Sequence, residues 1–145
     1  MEFISRIQSH IPRYVWVMLS VGWMIMIFVL SSRQSVKVSE EYWANFLFFK
    51  TLHVLEYAVL MVLNTLAFVK NIHTIPTRKA TFYASVCAIL YAVSDEIHQL
   101  YVPTRSGKYQ DVLIDSIGIF SVYCLILLYE KNKKRPSTSL HPRTS

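Results

Sequence analysis

Residues 94–118 read SDEIHQLYVPTRSGKYQDVLIDSIG. Asp95, Glu96, His98, Gln99, Arg105, Asp111 and Asp115 stand here between two long apolar runs. The runs exceed ordinary loop flanks. A polar cluster at the junction of two such segments fits a pair of membrane helices that hold ionisable groups at one depth.

Composition points the same way. Of 145 residues, 53% are hydrophobic and only 3 are Gly. The length suits one domain. A soluble helical domain would show a polar face along each helix. This chain has four long apolar runs instead, which predicts an all-α, polytopic membrane protein with a four-helix transmembrane bundle. The formal charge of +6 lies in loops and in the tail, without interleaved aromatics, so nucleic acid is not an expected partner. Cys87 and Cys124 both fall inside apolar runs and read as small hydrophobes, not as a metal knuckle or a disulfide.

Working outward, the third span is expected at about 80–100 and the fourth at about 111–129. Pro103 ends the third. Asp95, His98 and Gln99 share one face of it, while Glu96 points about 100° away. Asp111, Asp115 and Gly118 make one stripe on the fourth. The second span is expected at about 46–69, with Lys50 at the interface. His53 and Glu56 are three apart inside its first turns and share a face. The first span is expected at about 14–30, with Gly22 as a close-packing point, and it ends at Ser31-Ser32-Arg33. Residues 1–13 suit a short interfacial helix, and residues 36–45 a polar loop.

Four spans put both termini on one side. That side carries Arg6, Arg13, Lys70, Arg78 and Lys79, and Lys131, Lys133, Lys134, Arg135 and Arg143 in the tail. The other side carries Arg33, Lys37, Lys50, Arg105 and Lys108. The excess of Lys and Arg predicts both termini in the cytoplasm. Every span then delivers its polar residues to the outer leaflet, most of them on the order of 5–12 Å below the surface at about 1.5 Å per residue. Asn64 is the main exception.

Ionisable groups in a membrane need partners. One reading makes them a helix-locking network, with Arg105 bridging to Asp111 or Asp115 and His53 pairing with Asp95 or Glu96. The other makes them the wall of an outward-facing polar pocket. Arg105 would then bind a phosphate or carboxylate, with Arg33, Gln99, Asp111 and Asp115 as further ligand-binding groups. Asp95, Glu96, His98, His53 and Glu56 are the candidates for acid–base work, since carboxylates beside a His can supply one proton donor and one acceptor. No cofactor is dictated. A divalent metal on His53, Glu56, Asp95 and His98 would have two nitrogen and two oxygen donors on facing helices. PTRSGK lacks the frame of a P-loop.

At these residues the chain resembles the VanZ-like family of small bacterial membrane proteins. The matching pieces are Ser31-Ser32, Lys50-x-x-His53-x-x-Glu56-Tyr57 and Asp95-Glu96-x-His98-Gln99. Val102-Pro103-x-Arg105-Ser106-Gly107, Asp111-Val112 and Gly118 follow. The resemblance covers about residues 14–129. Two positions depart from it: Asp115 stands where the pattern has Asn, and Thr104 where it usually has Gly. The family takes its name from a protein linked to resistance to the glycopeptide teicoplanin. A membrane domain is expected over residues 1–130, which the resemblance places in the bacterial cytoplasmic membrane; the Lys, Ser, Thr and Pro of residues 131–145 predict a disordered basic cytoplasmic tail. The expected partner is a membrane lipid or lipid-linked envelope precursor. A phosphotransbutyrylase activity, attached to some members, would need soluble α/β machinery that this chain lacks.

Overall fold

Pro12 and Pro76 stand immediately before helices, where a missing N–H breaks no ladder bond. The computed structural model describes residues 11–33, 41–103, 105 and 107–133. It has four helices: α1 Arg13–Ser31, α2 Tyr42–Asn71, α3 Thr77–Gln99 and α4 Tyr109–Lys133. Each is long and apolar enough to cross a membrane, and no strand occurs among the described residues.

The expected spans are all present, with shifted ends. Helix α2 starts at Tyr42, inside the segment expected as loop, and has 30 residues. That is about 45 Å of helix against a hydrocarbon core of about 30 Å. Its first turns therefore reach beyond the apolar layer, where exposed Tyr42 and Trp43 suit an interfacial belt. Helix α4 runs on to Lys133, past the expected end of the domain. The proposed interfacial helix falls mainly in residues 1–10, and most of the tail in 134–145; both lie outside the described residues, as do Thr104 and Ser106.

Helix α2 packs on all three others. Helix α3 packs on α2 and α4 and touches α1 lightly, while α1 and α4 do not meet. Burial follows that arrangement. Of the most apolar window, 39% is buried in α3 and 33% in α2, against 17% each in α1 and α4. The pair α2–α3 is thus the middle of the bundle.

Local sequence explains why. Ala80, Ala84, Ala88 and Ala92 recur every four residues down one face of α3, and all are fully buried. Small residues let helix backbones approach closely where lipid gives no hydrophobic drive for association. Tyr57, Leu60 and Met61 of α2, Ile27 of α1 and Ile119 of α4 join this core. Gly118 does the same for α4. A Cβ there would overlap the Val54 carbonyl oxygen and stand 3.1 Å from the Ala58 nitrogen, so α4 lies directly against the α2 backbone. Gly22, expected to be a packing point, has nothing within 4 Å of a Cβ and faces outward.

Side chains also bridge helices to backbone carbonyls. Trp23 donates to the Glu56 carbonyl at 2.9 Å, and the Tyr91 hydroxyl to the Met24 carbonyl at 2.5 Å. Asn71 reaches the Arg13 carbonyl at 3.1 Å at the end where α1 begins and α2 finishes.

Candidate functional site

The alanine stripe of α3 continues into Asp95 and Gln99, so the face that packs the bundle also carries its most buried carboxylate. Asp95 is 2% exposed. The Ser31 hydroxyl lies 2.6 Å from Asp95 Oδ1 and 3.0 Å from the Phe28 carbonyl. Its one proton goes to the nearer acceptor, the Asp95 oxygen. Gln99 Nε2 donates to Asp95 Oδ2 at 3.0 Å and approaches Glu96 Oε1 at 3.4 Å. The Lys108 backbone N–H donates to Glu96 Oε2 at 2.9 Å.

That last bond needs the α3–α4 connection to fold back over the end of α3. Gly107 permits it. A Cβ at Gly107 would overlap the Glu96 carbonyl oxygen and sit 3.0 Å from the Leu100 side chain. Glu96 was expected about 100° off the Asp95 face. It is nonetheless buried, because the connection covers it.

His98 takes the other direction. Its Nε2 is 2.9 Å from the Ser32 hydroxyl, and its ring stacks on Phe28 at 4.2 Å. It closes the seam between α3 and the end of α1.

A cavity of about 160 Å³ opens between α1 and α2 at this end. Its polar lining comes from Ser31, Arg33, His53, Glu56 and Arg105, and its apolar lining from Ile27, Leu30, Phe49 and Leu52. Arg105 Nε donates to the Arg33 carbonyl at 3.1 Å, which fixes the guanidinium at the cavity. Its terminal nitrogens make no hydrogen bond or ion pair among the described residues, and neither does the Glu56 carboxylate.

The α2–α4 seam holds two further pairs. Lys50 Nζ and Asp111 Oδ1 form an ion pair at 2.6 Å. His53 Nδ1 lies 3.5 Å from Asp115 Oδ1. Both differ from the pairings expected of a network: Arg105 does not bridge to Asp111 or Asp115, and His53 does not pair with Asp95 or Glu96. The reason is position. Helix α4 abuts α2 through Gly118, so its stripe of Asp111 and Asp115 meets Lys50 and His53 on the facing side of α2.

All the candidate residues therefore gather at one end of the bundle; His98 closes the α1–α3 seam, and the others form three groups. Asp95, Glu96 and Gln99 bond to one another and to Ser31 and Lys108. Arg33, Arg105, His53 and Glu56 line the cavity. Asp111 and Asp115 stand behind it on α4. The four suggested metal donors are split among these groups and the α1–α3 seam. Among the described residues no three His, Cys, Asp or Glu side chains gather where they could hold a metal ion. Those donors do not fit a metal centre as placed.

Lys50 and Ser31 were not singled out as site residues, yet each neutralises or binds a carboxylate. Lys50 carried a signal, since it lies three residues before His53 and so shares its face. Asn64, the polar exception at the far end, accepts a 2.5 Å hydrogen bond from Ser20 and so is satisfied inside the bundle.

The model of the VanZ/LLP1 family matches residues 16–130. The chain belongs to the VanZ/LLP1 family. No curated relative and no solved structure matches it. The VanZ/LLP1 match takes in parts of all four helices and the whole polar cluster. Together with the four apolar helices it makes this a multi-pass membrane protein.

Proposed function

We propose that this protein binds the phosphate-bearing head of a lipid or lipid-linked envelope precursor at the outer face of the bacterial cytoplasmic membrane. The observation that carries the reading is Arg105. Its guanidinium is held at the rim of a polar cavity by the Arg33 carbonyl, and its remaining donors have no protein acceptor among the described residues. A planar, always-charged donor fork suits a phosphate. Ser31, His53 and Glu56 supply further polar contacts, and the apolar lining of Ile27, Leu30, Phe49 and Leu52 suits the first carbons of a lipid. The Lys and Arg excess at the other end of the bundle supports the outward orientation.

The experiment is native mass spectrometry of protein extracted gently from bacterial membranes. A retained phospholipid or polyprenyl phosphate that is lost from Arg105→Gln is the expected result. An Arg105→Gln variant that folds and keeps the same lipids would sink the assignment.

A second reading makes the protein a non-enzymatic interaction module that affects envelope assembly or glycopeptide sensitivity. What favours it is the closed chain Ser31–Asp95–Gln99–Glu96–Lys108, in which polar groups serve one another. Combined Asp95→Asn and Asp111→Asn substitutions separate the two. Loss of folding supports the module; intact folding with loss of lipid retention supports the binding site.

A further inference from the structure

His53 belongs to two environments at once. Its ring lines the cavity together with Glu56 and Arg105. Its Nδ1 is buried without a hydrogen-bond partner, 3.5 Å from Asp115 Oδ1 on α4. Asp115 is 1% exposed, and neither of its oxygens has a hydrogen-bond partner among the described residues. A buried carboxylate without a partner calls for an explanation. The neighbouring charges do not provide one. Lys50 is engaged by Asp111, one turn earlier on α4. Across on α3, Asp95 and Glu96 are taken up by Ser31, Gln99 and the Lys108 backbone. The side chain within ion-pair distance of Asp115 among the described residues is the His53 imidazole, while the buried Tyr57 hydroxyl nearby also lacks a partner.

A neutral imidazole carries one N–H and one lone pair. A carboxylate beside Nδ1 favours the proton there. We infer that Asp115 holds His53 with its proton on Nδ1, so that Nε2 offers a lone pair to the cavity as a proton acceptor. Asp115 is then a positioning residue, and the pair is a dyad that works from the wall of the site. The occupant it fits is a phosphate-bearing group with an exchangeable O–H: a phosphate monoester, or a hydroxyl or water beside a phosphodiester. When Nε2 takes that proton, the imidazolium's Nδ1–H faces Asp115, which can accept it. The proton returns to an oxygen of the occupant when it leaves. The phosphate in this account rests on the function proposed above; the tautomer does not.

The test is long-range proton–nitrogen correlation spectroscopy of the full chain, labelled with nitrogen-15 at histidine, in phospholipid nanodiscs. His53 is assigned by the signals lost in His53→Gln. The expected wild-type result is a protonated Nδ1 and a bare Nε2. In Asp115→Asn the proton is expected to move to Nε2. A wild-type proton on Nε2, a doubly protonated ring at neutral pH, or an unchanged tautomer in a folded Asp115→Asn variant each overturns the dyad. If Asp115→Asn does not fold, the wild-type tautomer decides alone. Inorganic phosphate is then added. It is expected to shift the Nε2 resonance of wild type and not of Arg105→Gln. No shift with the Nδ1 tautomer intact overturns the phosphate reading and keeps the dyad; a shift with the wrong tautomer does the reverse.

Discussion

Ser31, the last residue of α1, donates a 2.6 Å hydrogen bond to the buried carboxylate of Asp95 on α3. It spans the seam where helix packing is lightest, since α1 and α3 barely touch. One polar contact, with the His98–Ser32 and Tyr91–Met24 bonds beside it, does there what alanine packing does between α2 and α3.

Ser31→Ala leaves Asp95 with Gln99 as its one side-chain donor among the described residues. Leaving a buried acceptor unsatisfied costs about 1–3 kcal/mol. The variant is expected to lose stability of that order, read as a lowered midpoint of thermal unfolding in a mild detergent. An unchanged midpoint would mean that the seam is held by the Tyr91 and His98 contacts alone.

Gly118 and Gly22 make a matched pair of tests. Gly118→Ala drives a Cβ into the α2 backbone at Val54, and overpacking of this kind costs about 1–3 kcal/mol. Gly22→Ala meets open space and removes a poor helix former, so its effect is expected within about 1 kcal/mol of neutral or slightly favourable. Protease resistance of the two variants in micelles ranks them. The opposite order would contradict the close approach of α4 to α2.

Lys50 and Asp111 join α2 to α4 at 2.6 Å, with side chains 21% and 17% exposed. A double-mutant cycle with Lys50→Met and Asp111→Asn isolates their coupling. Residues in contact couple by about 0.5–3 kcal/mol, and a value in that range is expected. A coupling of zero would place the pair among charges that merely happen to be close.

Orientation is open to a chemical test. In a background carrying Cys87→Ala and Cys124→Ala, Arg33→Cys is expected to react with a membrane-impermeant maleimide added to intact spheroplasts. Lys133→Cys is expected to react only after the membrane is opened. Reversed reactivity would put the cavity in the cytoplasm and remove the envelope-precursor reading.

Much of this molecule is legible in one dimension. Hydropathy marks the four spans, because a bilayer admits only long apolar helices with their backbone bonds closed within the segment. Helical period then says which residues share a face: Asp95 with Gln99, Asp111 with Asp115 and Gly118, His53 with Glu56. Alternating direction brings every polar cluster to the same end. The alanine stripe of α3, a four-residue repeat, lies in the same sequence and marks the face that packs in the bundle.

What each polar group bonds to was decided only in three dimensions. A face is a property of one helix, but a partner depends on which helix that face meets and at what rotation. Gly118 turns Asp111 and Asp115 toward Lys50 and His53, not toward Arg105. Gly107 lets the connection fold back, so that Glu96 receives a backbone N–H from Lys108. The light contact of α1 with α3 leaves His98 to close that seam, not to line the cavity. Such choices turn on backbone approaches of a few ångströms, set by the size of a single side chain, and packing alone resolves them.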